Sequence, residues 1–197
     1  LAMKINQTRD VIDSGIPKNK GCGSVMMDMQ EKLLQEVNNK KQIESSAILQ
    51  LKTFDLLNIH QCFTEQVPEK LGTILPSIFA QNTQIPVFPK DTFSAFGCKS
   101  FVEWIELKNI DHLFLSGIEV PICIYQTCLD ALRENLQVTI ISDCVGARRS
   151  IDRDVALAQL CSFGCNIIPL ETAVYSILGS STHSKFREVS KLIRDRE

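Results

Sequence analysis

The sequence carries no excess of positive charge. Lysine and arginine number 21 against 23 aspartates and glutamates, a formal net charge of −2. Nothing here is built to neutralise a phosphate backbone, so no nucleic-acid partner is expected. No apolar run approaches the length that spans a bilayer, and the first residues lack the apolar core of a signal peptide. No membrane partner is expected either. Leu1-Ala2 before Met3 reads as an expression remnant, with Met3 as the expected native start. There are three histidines, His60, His112 and His183, scattered along the chain, and no C-x-x-C pair. That spacing does not make a zinc site, and neither metal nor cofactor is expected. Repeats and low-complexity segments are also missing.

What is present is an ordinary globular composition, 44% hydrophobic and 22% charged over 197 residues, enough for one sizeable core. Eight cysteines are the unusual feature. Cys22, Cys62, Cys128 and Cys144 fall within apolar runs, and Cys161 and Cys165 at helix-like positions. A secreted disulfide scaffold would place them in loops. Free thiols in a reducing, intracellular compartment are expected, the cytoplasm first and the mitochondrion left open.

The stretch from Leu113 to Asp130 organises the rest. Leu113-Phe114-Leu115 reads as a buried strand ended by Gly117. Pro121 suits a first helical turn, and Ile122, Tyr125, Cys128, Leu129 and Leu132 recur at helical intervals. Cys123 therefore stands where a strand hands over to a helix. Unpaired N–H groups and the positive end of the helix dipole favour a thiolate there. The plainer alternative is one more buried small hydrophobe.

Before this stretch, residues 1 to 21 read as a polar N-terminal arm punctuated by Gly15, Pro17 and Gly21. Strands are expected at Cys22–Met27, Ile59–Phe63 and Ile85–Phe88, with Thr64 to Pro68 leaving the second as a loop. Helical spacing covers 31 to 57 with a break at Asn38-Asn39, then 101 to 107. After the organising stretch come strands at Val138–Ser142 and Asn166–Pro169 around a helix from Ile151 to Phe163. Residues 179 to 197 read as a helical extension of the same domain, which spans 22 to 178. Short apolar runs alternating with helices mark a mostly parallel sheet covered on both faces. The expected fold is α/β: a doubly wound, Rossmann-like three-layer sandwich with a six-stranded sheet.

In such a fold ligands bind beyond the C-terminal strand ends, where strand order reverses. Asp28, Lys90 and Cys123 all follow such ends, so an acid, a cation and a thiol can meet in one cleft. Individually each has a plainer role, as a helix cap, a solvated loop charge and a core thiol.

At these positions the sequence resembles the isochorismatase-like cysteine hydrolases. Val25-Met26-Met27-Asp28-Met29-Gln30 is similar to the family's aspartate motif and Lys90-Asp91-Thr92-Phe93-Ser94-Ala95-Phe96 to its lysine segment. Gly117-Ile118-Glu119-Val120-Pro121-Ile122-Cys123, with Thr127 and Asp130-Ala131, is similar to its nucleophile motif, and Ile141-Ser142-Asp143, Arg148 and Asp154 extend the likeness. Thr64-Glu65-Gln66-Val67-Pro68 with Leu71-Gly72 resembles the branch called isochorismatase domain-containing proteins. The same Thr64-Glu65-Gln66 stands where nicotinamidases of the family carry an Asp-x-His metal site. Cys123 departs from true isochorismatases, which lack the nucleophile.

The resemblance implies a catalytic set of Asp28, Lys90 and Cys123 and a cis peptide bond at Ile118-Glu119. Lys90 and the helix N-terminus would favour the thiolate, with Asp28 moving the proton. Attack on an amide-like carbonyl gives a thioester that water hydrolyses, with the N–H groups of Cys123 and Glu119 as oxyanion donors. Phe93, Phe96 and Tyr125 are candidate pocket walls. The expected activity is hydrolysis of a non-peptide C–N bond in a small-molecule substrate. The rival reading is a catalytically idle binding or scaffold protein of the same fold. The resemblance implies a homo-oligomer, dimer or tetramer, and the apolar cluster Phe101, Val102, Trp104 and Ile105 reads either as a contact face or as Trp104 packing on its own sheet.

Overall fold

A computed structural model describes residues 21–196. Six strands form a single sheet: β1 (Cys22–Met27), β2 (His60–Gln66), β3 (Val87–Lys90), β4 (His112–Ile118), β5 (Gln137–Gly146) and β6 (Asn166–Ile168). Their order is β3-β2-β1-β4-β5-β6, and every neighbouring pair is parallel. The order reverses between β1 and β4, the place where the C-terminal strand ends open a crevice.

Parallel strands buried on both faces need apolar residues throughout, and β1 and β4 are buried at every position. Alternate residues serve opposite layers. Val25, Met27, Leu113 and Leu115 pack with α5 (Lys99–Leu107), α6 (Tyr125–Arg133) and α7 (Ser150–Ser162). Met26, Phe63 and Ile118 face α1 (Glu31–Leu34), α2 (Lys40–Leu56) and α4 (Pro76–Phe79), while Phe114 and Ile141 meet α2, α8 (Leu170–Leu178) and α9 (Phe186–Arg194). A four-residue helix, α3 (Pro68–Leu71), follows β2. The result is the three-layer sandwich read from the pattern.

Several boundaries differ from the sequence reading. β2 continues through Thr64, Glu65 and Gln66, all buried, where a polar loop was expected. β3 begins and ends two residues later than expected and keeps Pro89, which an edge strand tolerates because its N–H is not needed for pairing. Gly117 does not end β4; the strand passes through it at φ +99°. A Cβ there would lie 2.0 Å from the Met27 carbonyl oxygen, so the close approach of β1 and β4 requires glycine. A wide helical turn, Val120–Ile124, precedes α6, so Cys123 sits inside that turn.

The expected apolar contact face is also corrected. Trp104 is 8% exposed and packs on Phe88 and Phe101, each with ring centroids 6.1 Å away. Phe101 and Ile105 are buried beside it, so this face belongs to the chain's own core. The N-terminal arm lies outside the described residues except for Gly21, whose carbonyl accepts from the Asp111 and His112 amides. At the other end Val189 and Ile193 of α9 are buried against α2 and α8, and Arg196 bonds Asp143 and Ser46. Among the described residues no helix is long and apolar enough to cross a membrane.

Candidate active site

Asp28, Gln66 and Lys90 stand at the ends of β1, β2 and β3, and Cys123 follows β4. Asp28 leaves its strand in the left-handed region (φ +53°), a conformation aspartate tolerates better than most residues. Its carboxylate is fully buried and doubly held: Oδ1 accepts from Thr64 Oγ1 at 2.7 Å, and Oδ2 meets Lys90 Nζ at 2.8 Å. A buried charge needs such partners, and each here supplies the other's. Lys90 points inward, away from solvent.

Gln66 completes the cluster, and the sequence reading missed it. Its Oε1 accepts from Lys90 Nζ at 2.5 Å and lies 4.0 Å from Cys123 Sγ. Its Nε2 donates to the Asp91 carbonyl at 3.0 Å. Gln30 fixes the Gln66 backbone from both sides, accepting from its N–H at 2.7 Å and donating to its carbonyl at 3.0 Å. A polar Thr-Glu-Gln triplet looks like a loop in isolation. Only its place at the end of an interior strand makes these side chains part of a site.

Glu119 frames the nucleophile. The Ile118–Glu119 peptide is cis. The Glu119 N–H faces the Cys123 sulfur, and its carbonyl accepts from the Ile122 and Ile124 amides, each at 3.2 Å. Its carboxylate pairs with Arg148 Nε at 2.7 Å. Register explains this meeting: Ile118 lies beside Gly146 in the sheet, so the residues just beyond each strand come together.

The electrostatics correct one expectation. Burial pushes the Cys123 thiol up to about 12, reinforced by the Asp28 charge, and Lys90 only partly opposes this. The resting sulfur is therefore protonated at neutral pH, not a thiolate, with Gln66 Oε1 as its acceptor at 4.0 Å and the Asp28 charge nearby. Nor is Cys123 the most accessible of the eight free thiols. It is 6% exposed, whereas Cys161 is exposed and Cys98 half-buried.

A cavity of about 250 Å³ opens onto Cys123, walled by Leu33, Leu71, Phe93 and Ile122 with Gln66, Glu36, Glu119 and Arg148. Of the three aromatics expected as walls, Phe93 lines it. Phe96 instead packs edge-on against Phe101 at 5.4 Å, and Tyr125 donates its hydroxyl to Gln159 Oε1 at 2.7 Å. Among the described residues no three His, Cys, Asp or Glu side chains converge as a metal site.

A buried acid–ammonium pair behind a carboxamide and a protonated thiol that open onto a small chamber suits acyl transfer to sulfur. Comparison with known proteins agrees with this architecture. The model of the isochorismatase domain matches residues 23–172. Isochorismatase domain-containing protein 2 of Bos taurus is 35% identical over 176 residues, 88% of this chain and 84% of that protein. The MAR1 ribonuclease structure from Caenorhabditis elegans superposes with a TM-score of 0.86 at 28% identity, covering 92% of this chain and 94% of that one. The YcaC gene product of Escherichia coli, an octameric hydrolase of unknown specificity, has a TM-score of 0.84 at 17% identity, with 91% and 89% covered.

Proposed function

The chain belongs to the isochorismatase domain family, and on that premise we propose that it is a cysteine hydrolase of a small amide-like substrate. The observation that carries this reading is the convergence of Asp28, Lys90 and Gln66 on Cys123 at the floor of an open cavity. An idle scaffold has no need to keep a buried ion pair against a thiol, since an apolar pair of similar volume is often as stable.

The reaction begins with a thiol, so proton removal and attack occur together. Asp28 takes the Cys123 proton as the sulfur bonds to the carbonyl carbon and the carbonyl electron pair moves to oxygen. The Glu119 and Cys123 N–H groups receive that oxyanion. Collapse breaks the C–N bond, and the proton held by Asp28 passes to the departing amine. Water then attacks the thioester, Asp28 accepts its proton, and the sulfur leaves and is reprotonated. Lys90 orients the Asp28 carboxyl group through their 2.8 Å contact, while Gln66 Oε1 accepts from the same ammonium and faces the thiol.

Ribonuclease chemistry, the activity named for the Caenorhabditis elegans protein, is less well supported here. The Cys123 cavity presents Glu36 and Glu119 against Arg148 alone, which repels a phosphodiester. Homo-oligomeric assembly stays part of the proposal, supported by the octamer described for the Escherichia coli protein, and light scattering tests it.

The experiment is amine release from a panel of small amides by wild type, Cys123→Ser and Asp28→Asn. Turnover by wild type with loss of at least a thousandfold in both variants supports the reading. Turnover that survives Cys123→Ser, or none with any amide, contradicts it.

A further inference from the structure

Resting on the hydrolase reading, we propose that the substrate bears a cationic group remote from its scissile carbonyl, and that Glu36 is the residue that selects for it. The Cys123 chamber adjoins a second cavity of about 520 Å³, and Glu36, Glu119, Ile122 and Arg148 line both. A substrate whose carbonyl reaches Cys123 therefore has its far end among these side chains.

The sign of the charge at that end follows from pairing. The outer cavity adds Arg149 and Asp152, so the two chambers together present three carboxylates against two guanidiniums. Glu119 and Arg148 neutralise each other at 2.7 Å, and Arg149 faces Asp152 at 3.9 Å. Deeper in, Asp28 and Lys90 form their own pair. Among the described residues Glu36 has no ion pair, which leaves one net negative charge at the boundary of the chambers. Glu36 follows α1 as an exposed residue between the buried Leu34 and Val37 and lines both chambers, which places it at their boundary. In the inner chamber Leu33, Leu71, Phe93 and Ile122 add apolar surface to this boundary. Together these features suit a short apolar acyl group ending in an ammonium and disfavour a carboxylate or phosphate there.

Charged thiol reagents test this without requiring turnover. Methanethiosulfonates carrying an ethylammonium, an ethylsulfonate or a plain methyl group share one leaving group and differ in charge. Their rates at Cys123 are followed by peptide mapping, normalised to a free neutral thiol, in wild type, Glu36→Gln and Glu36→Lys. Glu36 is exposed, so these substitutions leave the fold intact. The expected ammonium-to-sulfonate ratio in wild type is about tenfold at low salt, falling about threefold in Glu36→Gln, inverting in Glu36→Lys and shrinking at high salt. Modification at Cys123 with a ratio that is one or less, or unchanged by Glu36→Gln, overturns the role of Glu36 and leaves the hydrolase reading standing. Failure of all three reagents to modify Cys123 even at pH 10, where its thiolate fraction is about a thousandfold higher than at pH 7, overturns access from the chamber to Cys123 and this proposal with it.

Discussion

At the scale of single residues, the thiol's protonation state governs the chemistry. Because the Cys123 thiol is pushed up to about 12, its alkylation by iodoacetamide should rise about tenfold per pH unit from pH 7 to 10 without levelling. An ordinary thiol levels off above about pH 8.5. Peptide-resolved labelling separates Cys123 from the exposed Cys161, and a plateau for Cys123 near neutrality would show that Lys90 dominates after all. Arg148 touches no reacting atom; it positions Glu119, whose amide faces the sulfur. Arg148→Ala should lower kcat about tenfold with KM nearly unchanged, and should weaken an aldehyde inhibitor that forms a tetrahedral adduct by a similar factor. Arg148→Lys should restore part of both. Equal loss in kcat and in binding of a non-reacting amide would mean that Arg148 only supports the loop.

At the scale of elements, the strand ends decide where chemistry is possible. Gly117→Ala forces a methyl group against the Met27 carbonyl and a side chain into a positive-φ position. It should cost about 3 kcal/mol or more by denaturant titration, and a loss below about 1 kcal/mol would mean that the β1–β4 contact relaxes easily. Lys90→Met leaves the Asp28 carboxylate buried without its cation and should cost about 3–5 kcal/mol. The double variant with Asp28→Asn should cost less than the sum of the two singles, which a double-mutant cycle measures. Much of this was legible beforehand, because apolar runs between helical segments specify a parallel sheet and its C-terminal crevice. Asp28, Lys90 and Cys123 could be picked out by their chemistry and their places at strand ends. Gln66 could not: a polar triplet becomes interior strand only through neighbours that local pattern does not encode. Likewise, burial around Cys123 outweighs the lysine and the helix end, and burial is a property of the folded whole.

At the scale of the whole molecule, the buried thiols link stability to pH. The thiols of Cys62 and Cys144, raised mainly by burial, resist ionisation in the fold, as does Cys123, whereas the hydrogen bond that raises Cys128 lowers its partner Cys165, so that pair partly offsets itself. A raised folded value favours the protonated form. The stabilisation is thus complete below the unfolded value of about 8.5 and is lost as pH climbs towards the folded values. Tm under reducing conditions should hold level from pH 6 to 8 and fall steeply between 9 and 11, with each such thiol contributing up to about 1.4 kcal/mol per pH unit. A Cys62→Val, Cys144→Val protein should show a shallower fall, and an unchanged slope would assign the effect to other groups. The account as a whole stands on a covalent intermediate that requires fold, crevice and thiol together. Rapid acid quenching during turnover of a reactive small amide, followed by peptide mass analysis, observes it directly. The account predicts an acyl mass increment on the peptide bearing Cys123, absent from Asp28→Asn; turnover with no increment on that peptide, or with acyl groups only on Cys98 or Cys161, would contradict it.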